Sequence, residues 1–173
     1  KLLGSGRHQS LQGSPRRTLP KQTIRLVHMS TDGVYPGTKG NYSENDAAKP
    51  YNTYGWTKLG AECAVNALSN FCIIRTSFFD PGNIKFKDAA IDAYSSKVPI
   101  SYLVKAINTM LNCDFTGTIN IGRERKSDYE HYKEFKPSIK KCKLADIQKT
   151  VNFKMYRDSS MNISLWEKIE KSN

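Results

Sequence analysis

The 173-residue sequence is most easily bounded by what it lacks. No apolar run approaches the roughly 18 residues that a membrane-spanning helix needs, so a membrane is not an expected partner. No CxxC pair occurs. The four cysteines, Cys63, Cys72, Cys113 and Cys142, are widely and irregularly spaced, which speaks against a disulfide framework or a zinc site. A reduced, cytoplasmic setting fits them best. His8, His28 and His131 stand at no metal-ligand spacing, so no metal is expected. The N-terminus has no apolar segment of the secretory kind. Residues 1–21 hold Lys1, Arg7, Arg16, Arg17 and Lys21 but no acid. Zinc-finger spacing, an RNP-type stretch and basic-region heptads are all missing, which leaves charge as the only pointer to nucleic acid.

That charge is +11, from 27 Lys+Arg against 16 Asp+Glu. Five of these charges fall in the first 21 residues, and the remaining +6 is modest for a domain of this size. It suits attraction to a nucleotide diphosphate, although a Lys-rich solvated surface with a basic tail is the plainer account. Apolar residues at 38 % and aromatics at 10 % argue for a folded domain with a real core.

Residues 1–21 read as a disordered or non-native leader, punctuated by Gly4, Gly6, Gly13, Pro15 and Pro20. From Thr23 to Ser30 the sequence is apolar enough for an interior strand of a parallel sheet. A polar, Gly-rich loop follows to about Pro50, then a helix over 51–69 and a buried strand at Phe71–Thr76. Strand, loop, helix, strand is the unit of a doubly wound α/β sheet. Helices are expected at 88–96 and 101–112, and a strand at Thr118–Ile121. Ser127 and Glu130 have capping-box spacing, which opens a helix to about Phe135. Residues 22–121 are thus expected to form part of a Rossmann-like catalytic domain, and 122–173 a small α+β substrate-binding region.

Tyr54 and Lys58 carry the chemical signal. At i and i+4 a phenol and an ammonium share one helix face, and the cation favours the phenolate form. Such a tyrosine can exchange a proton with a sugar or steroid oxygen. Tyr and Lys are common, so the spacing alone more simply describes an ordinary amphipathic helix face. Context sharpens it. Ser30, Thr31 and Asp32 follow one predicted strand, and Arg75, Thr76 and Ser77 end the next. In sheets of this class ligands bind beyond the carboxyl ends of strands. For Asp32 and Arg75, a structural ion pair or cap stands level with a functional contact.

The runs Met29–Gly37, Tyr42–Asp46, Lys49–Glu62 and Ile73–Ser77 together resemble extended short-chain dehydrogenase/reductases. They are most similar to the dTDP-4-dehydrorhamnose reductase, or RmlD-like, branch, and Asp158–Ser164 resembles the tail of that branch. The resemblance covers about residues 22–170. It implies NADPH or NADH as cofactor and a nucleotide-diphosphate sugar bearing a 4-keto-6-deoxy group as substrate; a homodimer is compatible with it. By position, Tyr54 is implied as the catalytic acid, Lys58 as the ligand of the nicotinamide ribose, and Thr31 as the holder of the keto oxygen. Ser30, Arg75 and Ser77 fall at cofactor contacts, and Asp32, Gly33 and Phe78 at substrate contacts.

Two departures from the branch stand out. Gly33 and Phe78 occupy positions where the branch usually has Tyr and Trp, and with glycine at 33 the acid pair of the related dehydratases is missing. The strand–GxxGxxG–helix phosphate cradle is also missing, since Gly4-Ser-Gly6 follows no strand. The sequence therefore reads as the C-terminal part of such a reductase, its doubly wound sheet lacking the N-terminal βαβ. A non-catalytic, reductase-like regulatory or nucleotide-binding subunit is the alternative. Cys63 is expected in the core and Trp56 packed on another helix face than Tyr54. Lys140, Lys141 and Lys143 could meet a nucleotide phosphate, but read more simply as a solvated cluster.

Overall fold

In a computed structural model, residues 24–172 are described. The expected leader lies outside them. The chain enters with β1 (Leu26–Met29), passes a 3-10 turn at Asp32–Val34, and forms α1 (Thr53–Val65) and β2 (Phe71–Thr76). Short strands β3 (Phe78–Phe79), β4 (Asp88–Ala90), β5 (Tyr94–Ser95) and β6 (Val98–Pro99) follow, then α2 (Ile100–Leu111) and β7 (Gly117–Ile121). The remainder holds β8 (Lys126–Ser127), α3 (Asp128–Lys133), β9 (Lys140–Cys142), α4 (Leu144–Gln148) and α5 (Ser164–Ser172).

The main sheet is parallel, in the order β1-β2-β7. Strand alternation sends successive residues of β2 to opposite faces. Cys72 and Ile74 join Ile119, Ile121, Leu103, Met110 and Trp166 in one core beneath α2 and α5. Arg75 turns the other way, to Glu62 of α1. Helices on both faces of a parallel sheet are the α/β architecture expected from the sequence. β1 stands at the edge of the described sheet, where Leu26 is 40 % exposed. The central strand is β2.

The segment 88–96 is not a helix. Ala89 and Ala90 lie buried in β4, which pairs with β9, and β5 pairs with β8. Alanine-rich sequence favours helix locally, but here the partners are strands some 30 to 50 residues downstream, and that pairing overrides local preference. The other helices fall where periodicity put them. Asn52 caps α1 by accepting from the Gly55 N–H at 2.9 Å, and Ser127 and Glu130 form the expected capping box on α3. After Asp158 the chain returns to the sheet: Met161 bridges Tyr42, and Trp166 of α5 is buried in the sheet's own core.

Candidate active site

The loop after β1 and the first turn of α1 are pressed together. Thr31 caps the 3-10 turn, its Oγ1 accepting from the Gly33 N–H at 3.1 Å and donating to Asp32 Oδ1 at 3.1 Å. Gly55, in α1, touches this turn so closely that a Cβ there would lie 2.2 Å from the Gly33 carbonyl oxygen. Only glycine permits that approach, and it sets the neighbouring Tyr54 beside the Thr31–Gly33 turn. Tyr54 is 60 % exposed. Lys58, one helical turn on, donates from Nζ to the carbonyl of Met29, the last residue of β1. Thr31 and the anchor point of Lys58 thus lie at the carboxyl end of the edge strand, next to the first turn of α1 that carries the exposed Tyr54.

Ser30 and Arg75 face elsewhere. Both are buried, and both are held by Glu62 of α1. Arg75 donates from Nε to both Glu62 oxygens (3.0 and 3.3 Å) and from Nη2 to Oε2 (2.6 Å), while Ser30 Oγ donates to Oε1 (2.5 Å). Arg75 Nη1 also donates to the Tyr35 hydroxyl at 3.0 Å and lies against the Tyr35 ring. Of the two readings the sequence left level for Arg75, the structure shows the ion pair. Ser30 likewise donates its hydroxyl proton inside this network. Glu62 went unremarked in the sequence as a site former; a carboxylate one turn beyond Lys58 was the available signal.

Asp32 is buried and accepts from Ser159 Oγ at 2.7 Å as well as from Thr31. Burial pushes its carboxyl above the ordinary range despite these bonds. Gly33 has room for a Cβ at ordinary contact distance, with Thr31 Oγ1 at 3.4 Å and the Tyr51 hydroxyl at 3.7 Å. At the end of β2, Thr76 Oγ1 is buried and has no hydrogen-bond partner among the described residues. Ser77 is half-buried, its carbonyl accepting from Val98, and Phe78 is 53 % exposed.

A second polar cluster surrounds Lys97. Lys97 is buried and donates from Nζ to Asp128 Oδ1 (3.0 Å), to the Tyr132 hydroxyl (2.8 Å) and to the Tyr156 hydroxyl (3.3 Å). Tyr156 in turn donates to Asp128 at 2.7 Å. Burial works against the ammonium, but Tyr156, Asp128 and Tyr132 outweigh it and hold Lys97 above its ordinary range. Lys97, Asp128 and Tyr156 line a cavity of about 620 Å³ whose walls include Ala89, Ile147 and Phe153. The partners lie 31 to 59 residues apart, so no local pattern announces them.

Two expectations about α1 are corrected. Cys63 is exposed, not core, and Trp56 is 57 % exposed, not packed. The buried positions of α1 are Gly55, Glu62 and Val65, a narrow stripe that leaves 56 and 63 outside it. Lys140, Lys141 and Lys143 are exposed, and Lys141 lies against the Tyr129 ring. Among the described residues no group of three His, Cys, Asp or Glu could hold a metal, and no helix is long and apolar enough to cross a membrane.

Residues 18–86 match the sequence model of the RmlD substrate binding domain family. A stretch of 60 residues is 43 % identical to the dTDP-4-keto-6-deoxy-D-glucose reductase of Streptomyces niveus, covering 33 % of this chain and 21 % of that protein. The fold is similar to that of a hypothetical dTDP-4-dehydrorhamnose reductase from Sulfolobus tokodaii, with a TM-score of 0.71 and 31 % identity over 83 % of this chain and 57 % of that one. The dTDP-4-dehydrorhamnose reductase of Bacillus anthracis, solved in complex with NADP, shares the fold at a TM-score of 0.71 and 20 % identity, over 83 % of this chain and 58 % of that one. The chain thus spans little more than half the length of these solved relatives, and its matched stretch about a fifth of the curated one.

Proposed function

We propose that this RmlD-like chain carries the catalytic edge of an NAD(P)H-dependent reductase acting on a nucleotide-linked 4-keto-6-deoxy sugar. The observation that supports this most is the Gly55–Gly33 contact, which seats the first turn of α1, bearing Tyr54, against the Thr31 turn at the strand end where Lys58 is anchored. The residues present suit the nicotinamide end of such a cofactor. Tyr54 is open to solvent, Lys58 is anchored to Met29 one helical turn on, and Thr76 Oγ1 is a buried hydroxyl with no partner among the described residues. The described residues include no glycine-rich phosphate cradle, so binding of the pyrophosphate is assigned to none of them.

The cofactor, when bound, supplies a hydride to the sugar carbonyl. The protein's own work is orientation and proton delivery. Thr31 exchanges its bond to Asp32 for the keto oxygen; Asp32 keeps Ser159 as donor. Tyr54 gives its phenolic proton to the oxygen that becomes an alkoxide. Lys58, fixed by Met29, places positive charge where that negative charge develops. Asp32 and Gly33 form the floor of the sugar site and Phe78 an apolar flank.

The test is consumption of reduced nicotinamide by this polypeptide on addition of dTDP-4-keto-6-deoxy-D-glucose. The proposal expects consumption that requires the keto group, with dTDP-glucose inert. Binding of the keto sugar without consumption would favour a non-catalytic, nucleotide-binding subunit instead.

A further inference from the structure

We infer that Tyr51 is a sugar-contacting residue, its phenol hydroxyl serving the space that Gly33 leaves by having no side chain. The inference rests on the functional reading above and adds to it a specificity-determining group. Three observations carry it.

First, the hydroxyl is in place. A Cβ built on Gly33 would lie 3.7 Å from the Tyr51 oxygen and 3.4 Å from Thr31 Oγ1, so phenol and threonine hydroxyls border the same small gap. Second, the ring is held there. Gly37, at φ +69°, has its virtual Cβ 2.9 Å from Tyr51 Cδ1, and the Tyr156 ring meets Tyr51 edge-on at 6.2 Å. A ring clamped between a backbone and a second ring needs little ordering when a ligand arrives. Third, the hydroxyl is unspent. Among the described residues it makes no hydrogen bond, and it is not one of the sealed polar atoms lacking a partner. Its neighbours Thr31, Asp32 and Tyr156 all use their polar groups on one another or on the protein.

The facing groups define what Tyr51 does. Burial, and then the Asp32 carboxylate, raise its pKa, so it stays a neutral donor at working pH. A neutral donor beside Thr31 suits a carbonyl or hydroxyl oxygen of an uncharged sugar ring, and does not suit the nucleotide's phosphates, which a cation would serve better.

The experiment is calorimetric titration of wild type and Tyr51→Phe with two probes, dTDP and dTDP-4-keto-6-deoxy-D-glucose. Phenylalanine keeps the ring clamped by Gly37 and Tyr156 and removes only the oxygen. The expected result is a loss of about tenfold in affinity for the keto sugar, the worth of one good hydrogen bond, with affinity for dTDP unchanged. Equal affinity of both proteins for the keto sugar overturns the contact while leaving the reductase reading intact. An equal loss for both probes also overturns it, by showing that the oxygen supports the fold and not the sugar. Failure of wild type to bind either probe overturns this contact and the functional reading together.

Discussion

Replacing Glu62 with alanine removes a carboxylate that holds side chains at two strand ends, Ser30 after β1 and Arg75 in β2. The side chains of Arg75 and Glu62 are only 8 % and 2 % exposed, which takes the pair out of the surface regime where ion pairs contribute little. Loss of the carboxylate leaves a guanidinium with two donors unmatched in the interior, and leaves the Ser30 hydroxyl without its acceptor. Breaking a buried pair from one side costs about 3–5 kcal/mol. For a domain of this size each kcal/mol moves Tm by about 2–4 °C, so a drop on the order of 6–20 °C is expected in thermal denaturation followed by circular dichroism. The double variant Glu62→Leu with Arg75→Met removes both charges, and should recover at least about 2 kcal/mol of that loss. Tyr35 then still donates to Asn120 at 2.8 Å. A single-variant cost below about 1 kcal/mol, or a double variant no better than the single, would show that Glu62 does not hold a buried, desolvated charge.

Three further outcomes are expected. Gly55→Ala forces a methyl to 2.2 Å from the Gly33 oxygen, so α1 must withdraw from the turn. A stability loss of about 1–3 kcal/mol, together with weaker keto-sugar binding, is expected, and unchanged melting would contradict the contact. Asp128→Ala strands the buried Lys97 ammonium and should cost about 3–5 kcal/mol in chemical denaturation, whereas Lys149→Ala, at a pair whose side chains are 75 % and 60 % exposed, should cost less than about 1 kcal/mol. His131 is held below its ordinary pKa chiefly by burial. Below pH of about 6.5 the unfolded chain therefore takes up protons that the folded chain refuses, and stability falls with acidification. The wild type should lose more stability between pH 7 and pH 5 than His131→Gln, with parallel slopes as the contradicting result.

What the sequence makes legible follows from how local each cause is. The helices α1, α2 and α3 and the strands β2 and β7 are read from period, caps and apolar runs, because those signals lie within the elements. Strands β4 and β5 are misread because Ala89, Ala90 and Ala93 favour helix while the deciding partners lie at Lys140–Cys142 and Lys126–Ser127. The site divides in the same way. Tyr54 and Lys58 are found because one helix turn joins them. Ser30 and Arg75 look like ligand contacts because strand ends usually are, and only the fold shows Glu62 reaching both. Tyr51 and the Lys97–Asp128–Tyr156 cluster carry no local mark, since their meaning depends on Gly33, Gly37 and one another across long separations.

In the proposed reaction Tyr54 delivers the proton, while Ser30 and Arg75 hold the fold. Single-turnover reduction of dTDP-4-keto-6-deoxy-D-glucose, compared among wild type, Tyr54→Phe and Ser30→Ala, tests it most directly. A fall of about 100-fold or more is expected for Tyr54→Phe at unchanged Tm, and for Ser30→Ala a lowered Tm with a rate within about threefold of wild type. Reduction by Tyr54→Phe at the wild-type rate would contradict it.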